Sequence, residues 1–235
     1  MNLFTSSNAP ISVTLRVLSH LLSYPDVDLR AHLSEMHEAL HAERALSPDR
    51  LTEIDALIDR LRVANPFETE AAYVEIFDRG RGTALHLFEH VHGDSRDRGP
   101  AMVDLVRTYE QAGLYLAPGE LPDHLTVVLE YVSTQPPAQA REFLREIAHI
   151  LQSIFSALLR RESPYASLVA ALLELCGERA QAVTLPADEA LDASWEEPIA
   201  FGGCSSEGQA RPGQPQPIRI VRGPLPGQPA TGVPA

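Results

Sequence analysis

The stretch AQAREFLREIAHILQSIFSALL, residues 138–159, decides the fold class. Phe143, Leu144, Ile147, Leu151, Ile154, Phe155 and Leu158 recur at steps of one, three and four, which lines apolar groups along one side of a single long α-helix. The same spacing extends in both directions. Downstream, Ser163-Pro164 starts a last helix that Gly177 stops, and upstream Gln135-Pro136-Pro137 closes a helix that Pro122 opens and that carries Leu125, Val128, Leu129 and Val132. Met102, Val103, Leu105, Val106 and Tyr109 belong to another, ending at Gly113.

Nearer the start, Ile11, Leu15, Leu18 and Leu22 form one apolar face and Leu29, Leu33, Met36 and Leu40 a second, parted by Tyr24-Pro25-Asp26. Ser47-Pro48 reads as N-cap and first helical residue, with Leu51, Ile54, Leu57, Ile58 and Leu61 as the buried stripe behind it. Asn65-Pro66 opens a helix bearing Tyr73, Ile76 and Phe77, which breaks in Asp78-Arg79-Gly80-Arg81-Gly82. A short helix through Leu85 and Phe88 leads into the polar loop His92 to Pro100. No run alternates with period two, so residues 1–180 are expected to form an all-α, single-domain bundle of about eight to ten helices. Residues 181–235 are rich in Pro, Gly, Gln and Ala, too poor in apolar groups to offset the entropy of ordering, and are expected to be a mostly disordered tail. Within the tail, Trp195-Glu196-Glu197-Pro198-Ile199-Ala200-Phe201 reads either as a free linear stretch or as an apolar clip docked on the bundle.

The 235 residues carry 32 Asp and Glu against 19 arginines, no lysine, and a net charge of -13. That balance disfavours nucleic acid and suits a basic partner or plain solubility. Without lysine no nucleotide-binding P-loop exists. Two cysteines, Cys176 and Cys204, rule out a disulfide framework or a cysteine-rich zinc site. The start of the chain lacks a secretory pattern and no apolar run approaches the ~18 residues of a spanning helix, so a cytoplasmic location without membrane insertion is expected.

One string suggests an enzyme. His86-Leu87-Phe88-Glu89-His90 matches the H-x-x-E-H order of a zinc hydrolase, in which both histidines reach one metal and Glu89 polarises its water. It needs a third ligand from elsewhere, and nothing in the spacing marks one, so chance is the better account. His37 and His41 share the i, i+4 relation and read as an exposed helix face, and His20 as an edge histidine. Leu121-Pro122-Asp123-His124 reads first as helix-start chemistry, with Asp123 in the first turn opposing the positive end of the helix dipole.

Tyr73-Val74-Glu75-Ile76-Phe77-Asp78-Arg79-Gly80-Arg81-Gly82-Thr83, then Leu87-Phe88-Glu89-His90-Val91-His92-Gly93-Asp94-Ser95-Arg96-Asp97-Arg98-Gly99 and Leu121-Pro122-Asp123-His124-Leu125, closely resemble the delta-subunit assembly chaperones of respiratory nitrate reductase. Pro-x-Asp-His also resembles a signature of the wider molybdoenzyme chaperones. The resemblance implies an all-helical, non-catalytic chaperone that holds no cofactor of its own. It further implies binding to the N-terminal peptide of the catalytic (alpha) subunit apoenzyme, keeping that subunit competent for molybdenum cofactor and iron-sulfur insertion, with molybdenum cofactor biosynthesis proteins as further contacts. The runner-up is a chaperone of another molybdoenzyme. On this reading an amphipathic peptide helix docks between the Tyr73–Phe77 helix and the helix begun by Pro122. Tyr73, Phe77, Phe88 and Tyr131 supply apolar contact, Glu75, Glu89 and Asp123 face peptide cations, and His124 bridges by hydrogen bonding. Asp78, Arg79 and Arg81 with His90, His92, Arg96, Asp97 and Arg98 are expected to form a charged loop platform. Histidines 90, 92 and 124 are expected to make affinity depend on pH.

Overall fold

The protein was analysed as a computed structural model, which describes residues 9–92 and 96–184. Eleven α-helices follow one another among these residues: α1 Ser12–Leu21, α2 Val27–Ala31, α3 Leu33–Glu43, α4 Pro48–Val63, α5 Pro66–Phe77, α6 Leu87–Val91, α7 Arg98–Gln111, α8 Leu125–Ser133, α9 Pro137–Glu146, α10 Ala148–Arg160 and α11 Ala166–Leu175. A single 3-10 turn, Arg81–Thr83, lies between α5 and α6. Of the tail expected over residues 181–235, residues 181–184 are described and run along α10, where the Gln181 amide donates to Gln152 Oε1 (3.1 Å) and the Val183 amide to Ser156 Oγ (2.9 Å); the rest, with the Trp195–Phe201 segment, lies outside the described residues. Among the described residues no helix is long and apolar enough to cross a membrane.

The core forms around α11. Every residue of this helix except Glu174 is buried, as expected of a helix that is apolar all round. It packs against α10, α4, α9 and α1. Helix α1 lies against α8 and α3, so the Leu15–Leu18–Leu22 stripe meets Leu125, Val128, Leu129 and Val132 in one continuous interior.

Local signals read from sequence set the ends of several helices. Ser47 Oγ accepts a hydrogen bond from the Arg50 amide and Asn65 Oδ1 from that of Phe67, each beside a proline in the first turn. At the end of α7, Gly113 takes φ +77°, which frees the Leu114 amide to reach back to the Tyr109 carbonyl at 2.9 Å.

Three expected boundaries differ. The long helix over residues 138–159 is two, because the chain breaks at Ile147 (φ -91°, ψ 4°). Helix α9 then packs on α8 and α11, while α10 turns toward α11 and the 3-10 turn. The apolar run from Leu29 to Leu40 likewise divides at His32, whose Nδ1 lies 2.7 Å from the Asp28 carbonyl. Pro122 does not open α8. That helix begins at Leu125, and residues 122–124 serve another purpose described below.

Candidate functional site

The strings 85–92 and 121–125, far apart in sequence, are joined edge to edge. His86 and His124 form an isolated antiparallel bridge, in which the Leu87 amide donates to the Asp123 carbonyl (3.0 Å) and the Leu125 amide to that of Leu85 (2.8 Å). This places the Asp123 side chain, fully buried, at the start of α6. Its Oδ2 accepts from the Phe88 amide (3.2 Å) and its Oδ1 lies 3.4 Å from His86 Nδ1. Arg98, the first residue of α7, reaches Asp123 Oδ2 at 3.8 Å and Glu89 Oε1 at 3.6 Å. The expectation that Asp123 lies in the first turn of the helix begun by Pro122 is corrected: it precedes α8, and its carboxylate instead accepts from the first turn of α6.

The electrostatics follow from these contacts. Burial alone would raise the Asp123 carboxyl, yet the His86 and Phe88 hydrogen bonds and the Arg98 charge outweigh it and hold the group below the ordinary carboxylate range. His86 is raised, first by its hydrogen bond to Asp123. His124 is pushed down to about 4, by burial and then by the neighbouring His86, whose ring centre is 4.9 Å away. Its Nδ1 is 2.6 Å from Thr126 Oγ1. His124 is thus neutral throughout the physiological range, and the expectation that it titrates near neutrality is corrected.

The H-x-x-E-H string does not assemble a metal centre. His86 precedes α6 in extended backbone and turns to Asp123, while His90 Nε2 turns to the Ala84 carbonyl at 2.8 Å. The helical face that would have aligned them is absent, because α6 starts one residue too late.

The aromatic residues expected to touch a peptide divide into two groups. Tyr73 and Phe77 are buried with Tyr165, ring centres 4.7 to 5.9 Å apart, and Tyr73 donates to the Leu22 carbonyl at 2.7 Å. They are core. Pro122 is also buried, and its carbonyl accepts from Tyr109 (2.8 Å). Phe88 is half-buried with its ring 5.4 Å from His92. Tyr131 instead opens onto a surface hollow, and Glu75 is exposed with its carboxylate 3.0 Å from Arg79.

Of the charged loops, Arg79 is tied to Glu75, Arg98 to Glu89 and Asp123, and Asp78 continues α5 through its amide to Val74; Arg96 and Asp97 are exposed. Gly80 is closely approached by two side chains, those of Thr83 and Arg161. A Cβ there would lie 2.6 Å from the Arg161 guanidinium, which also donates to the Glu75 carbonyl at 3.2 Å. This segment is therefore clasped by the end of α10.

Three hollows form a row that sequence reading did not anticipate. The first, about 390 Å³, lies between α1, α7 and α8 and is walled by Arg16, His20, Tyr109, Tyr115, Glu120, Glu130 and Tyr131. The second, about 580 Å³, lies between α1, α2 and α3, with Val17, Leu29, Met36 and Ala39 as its apolar lining and Asp26, Asp28 and Glu35 as its acids. A third, about 360 Å³, lies on α5 among Phe67, Glu70, Val74, Glu75 and Arg79. His20 belongs to the first and second, Tyr24 to the second and third. Together they make a trough with apolar walls and an acidic margin, where Phe67 and Tyr115 stand 80% and 81% exposed. It includes three sequence candidates, Glu75 and Arg79 at one end and Tyr131 at the other.

The fold is shared with a crystal structure described as a redox enzyme maturation protein from Archaeoglobus fulgidus, at TM-score 0.54 and 18% identity, covering 75% of this chain and 99% of that one. The chain belongs to the nitrate reductase delta subunit family, whose model matches residues 26–171. It is 45% identical over 195 residues to the nitrate reductase molybdenum cofactor assembly chaperone NarJ of Escherichia coli K12, covering 79% of this chain and 83% of that protein. Bacillus subtilis 168 NarJ, named to the same class, is 32% identical over 170 residues, covering 68% and 86%. The family is one of assembly chaperones and not of catalytic enzymes.

Proposed function

We propose that this protein is the chaperone of a respiratory nitrate reductase. It binds the apo catalytic subunit through that subunit's N-terminal segment and keeps it competent for molybdenum cofactor and iron-sulfur insertion before membrane assembly. The observation that carries this reading is the 45% identity to the Escherichia coli chaperone over most of both chains. The trough supports it. An amphipathic, Arg- or Lys-bearing peptide would lay its apolar side on Tyr131, Tyr115, Tyr24 and Ala39 and direct its cations to Glu130, Asp28 and Glu35. This moves the expected groove from the Tyr73–Pro122 neighbourhood, which is core, to the α1 face.

The test is calorimetric titration with the N-terminal peptide of the cognate catalytic subunit against a scrambled control. Saturable binding of the native peptide, weakened about tenfold (~1.4 kcal/mol) by Glu35→Arg or Glu130→Arg, is the expected result. Binding of neither peptide contradicts N-terminal recognition. Preference for the corresponding peptide of a different molybdoenzyme would reassign the client.

A further inference from the structure

We propose that His37, His41 and Asp55 form a binding site for a divalent transition-metal ion of the zinc type, linking α3 to α4. The two histidines are one turn apart on α3 and project together, with ring centres 4.5 Å apart. Asp55 faces them from the middle of α4. Its Oδ1 lies 3.4 Å from His37 Nε2 and 3.2 Å from His41 Nε2, and its Oδ2 is 3.0 Å from His41 Nε2. One donor atom from each of the three residues lies within 4.8 Å of the others.

These spacings are those of a coordination shell. Four donors at zinc bond lengths of about 2.0–2.1 Å stand about 3.3 Å apart along the edges of the tetrahedron. Both imidazole-to-carboxylate edges already have about that length, at 3.4 Å and 3.0 Å. Two imidazoles and one carboxylate favour zinc, nickel or cobalt over magnesium or calcium, which prefer all-oxygen shells.

The frame is preset. Helices α3 and α4 pack through Met36, Leu40, Ile54, Leu57 and Ile58, all in the core. Arg62 of α4 also reaches the Leu33 carbonyl (3.3 Å) and Ser34 Oγ (3.4 Å) of α3. The donors are 27–42% exposed, so the ion has an entry path, and three protein ligands leave a position for water or another donor. Helix α3 then holds the ion on one face and lends Glu35, Met36 and Ala39 to the wall of the second hollow on another.

The experiment titrates the untagged, chelator-treated full chain with zinc chloride by calorimetry and with cobalt by visible absorption. Wild type is compared with His41→Ala, Asp55→Asn, and the controls His149→Ala and Cys204→Ser. The expected result is one ion per chain, with affinity falling at least about 100-fold in His41→Ala and Asp55→Asn, beyond the roughly 10–100-fold cost of losing an outer-shell partner. Both controls should bind as wild type does. Zinc should also raise Tm in wild type and not in the two ligand variants. Absence of saturable binding, undiminished binding by the ligand variants, or loss in either control overturns the assignment. Helix content by circular dichroism shows that each variant is folded, and should His41→Ala lose it, Asp55→Asn decides.

Discussion

The Asp123 cluster and the α1 trough are both rich in acids and histidines, yet the same residue types do opposite work in them. In the cluster the carboxylate is wholly buried and met by an amide, an imidazole and a guanidinium, so its charge fixes geometry. Along the trough Asp28, Glu35, Glu120 and Glu130 are exposed beside apolar hollows, where a charge costs little and remains available to a partner. The comparison teaches that burial, rather than residue type, separates a polar group that builds the fold from one that recognises. Of the polar residues described in the strings that resemble the family, Thr83 and Asp123 fall in the first category, while Glu75, Asp78, Arg79 and Arg81 are exposed.

The sharpest way to break this contrast is Asp123→Ala. It strands the Phe88 amide and leaves His86 and Arg98 without their shared carboxylate, so urea unfolding should show a loss of about 3 kcal/mol. A loss below about 1 kcal/mol would place the cluster with ordinary surface polar groups.

Acid tests the same cluster from the other side. His124, at about 4 in the folded chain against 6.5 unfolded, takes up its proton first in the unfolded state as pH falls. Its contribution is therefore nil above about pH 6.5 and destabilising between 6.5 and 4, reaching up to about 3 kcal/mol at its low end. Asp123, depressed, stabilises above its unfolded value and loses that effect as pH falls through its folded one; raised His86 opposes His124 by stabilising below its unfolded value. His124→Asn should remove the His124 share, so its unfolding free energy should decline less than that of wild type from pH 7 to 4.5. Parallel declines would contradict the assignment.

Smaller effects sharpen the line between core and trough. Tyr73→Phe deletes the buried donor to the Leu22 carbonyl and should cost about 1 kcal/mol, with the aromatic packing retained. Glu35→Arg and Glu130→Arg should each change stability by no more than about 0.5 kcal/mol. A larger loss would show that these acids belong to the scaffold.

Legibility in the sequence follows the range of the interaction. Helix periodicity, the Ser47 and Asn65 caps and the Gly113 stop are local, and each appears where the residues place it. The break at Ile147 has no proline or glycine to announce it; it lets α9 reach α8 and α10 reach the 3-10 turn while both stay on α11. Likewise the spacing of Pro122-Asp123 suggests a helix start, but its partner is α6, and no local rule joins residue 123 to residue 88. Tyr73 and Phe77 are aromatic in a characteristic string, which says they matter without saying they are interior. The trough was hidden for a related reason: His20, Glu35 and Glu130 come from separate helices and become neighbouring walls only after packing. His37 and His41 were visible as a pair, whereas Asp55 joins them through the α3–α4 contact.

The two hydrogen bonds that the Leu87 and Leu125 amides donate to the Asp123 and Leu85 carbonyls also act as a topological clasp. They bring together the two ends of the excursion that contains α7, whose Tyr109 also packs its ring 4.9 Å from that of Tyr131 on α8. Loop-closure entropy grows only slowly with length, so this clasp tolerates insertions or deletions around the exposed Pro118-Gly119 turn with little penalty to the bundle. The Pro118-Gly119 turn is thus where the chain can be lengthened, nicked or grafted while α1, α8, α10 and α11 keep their packing.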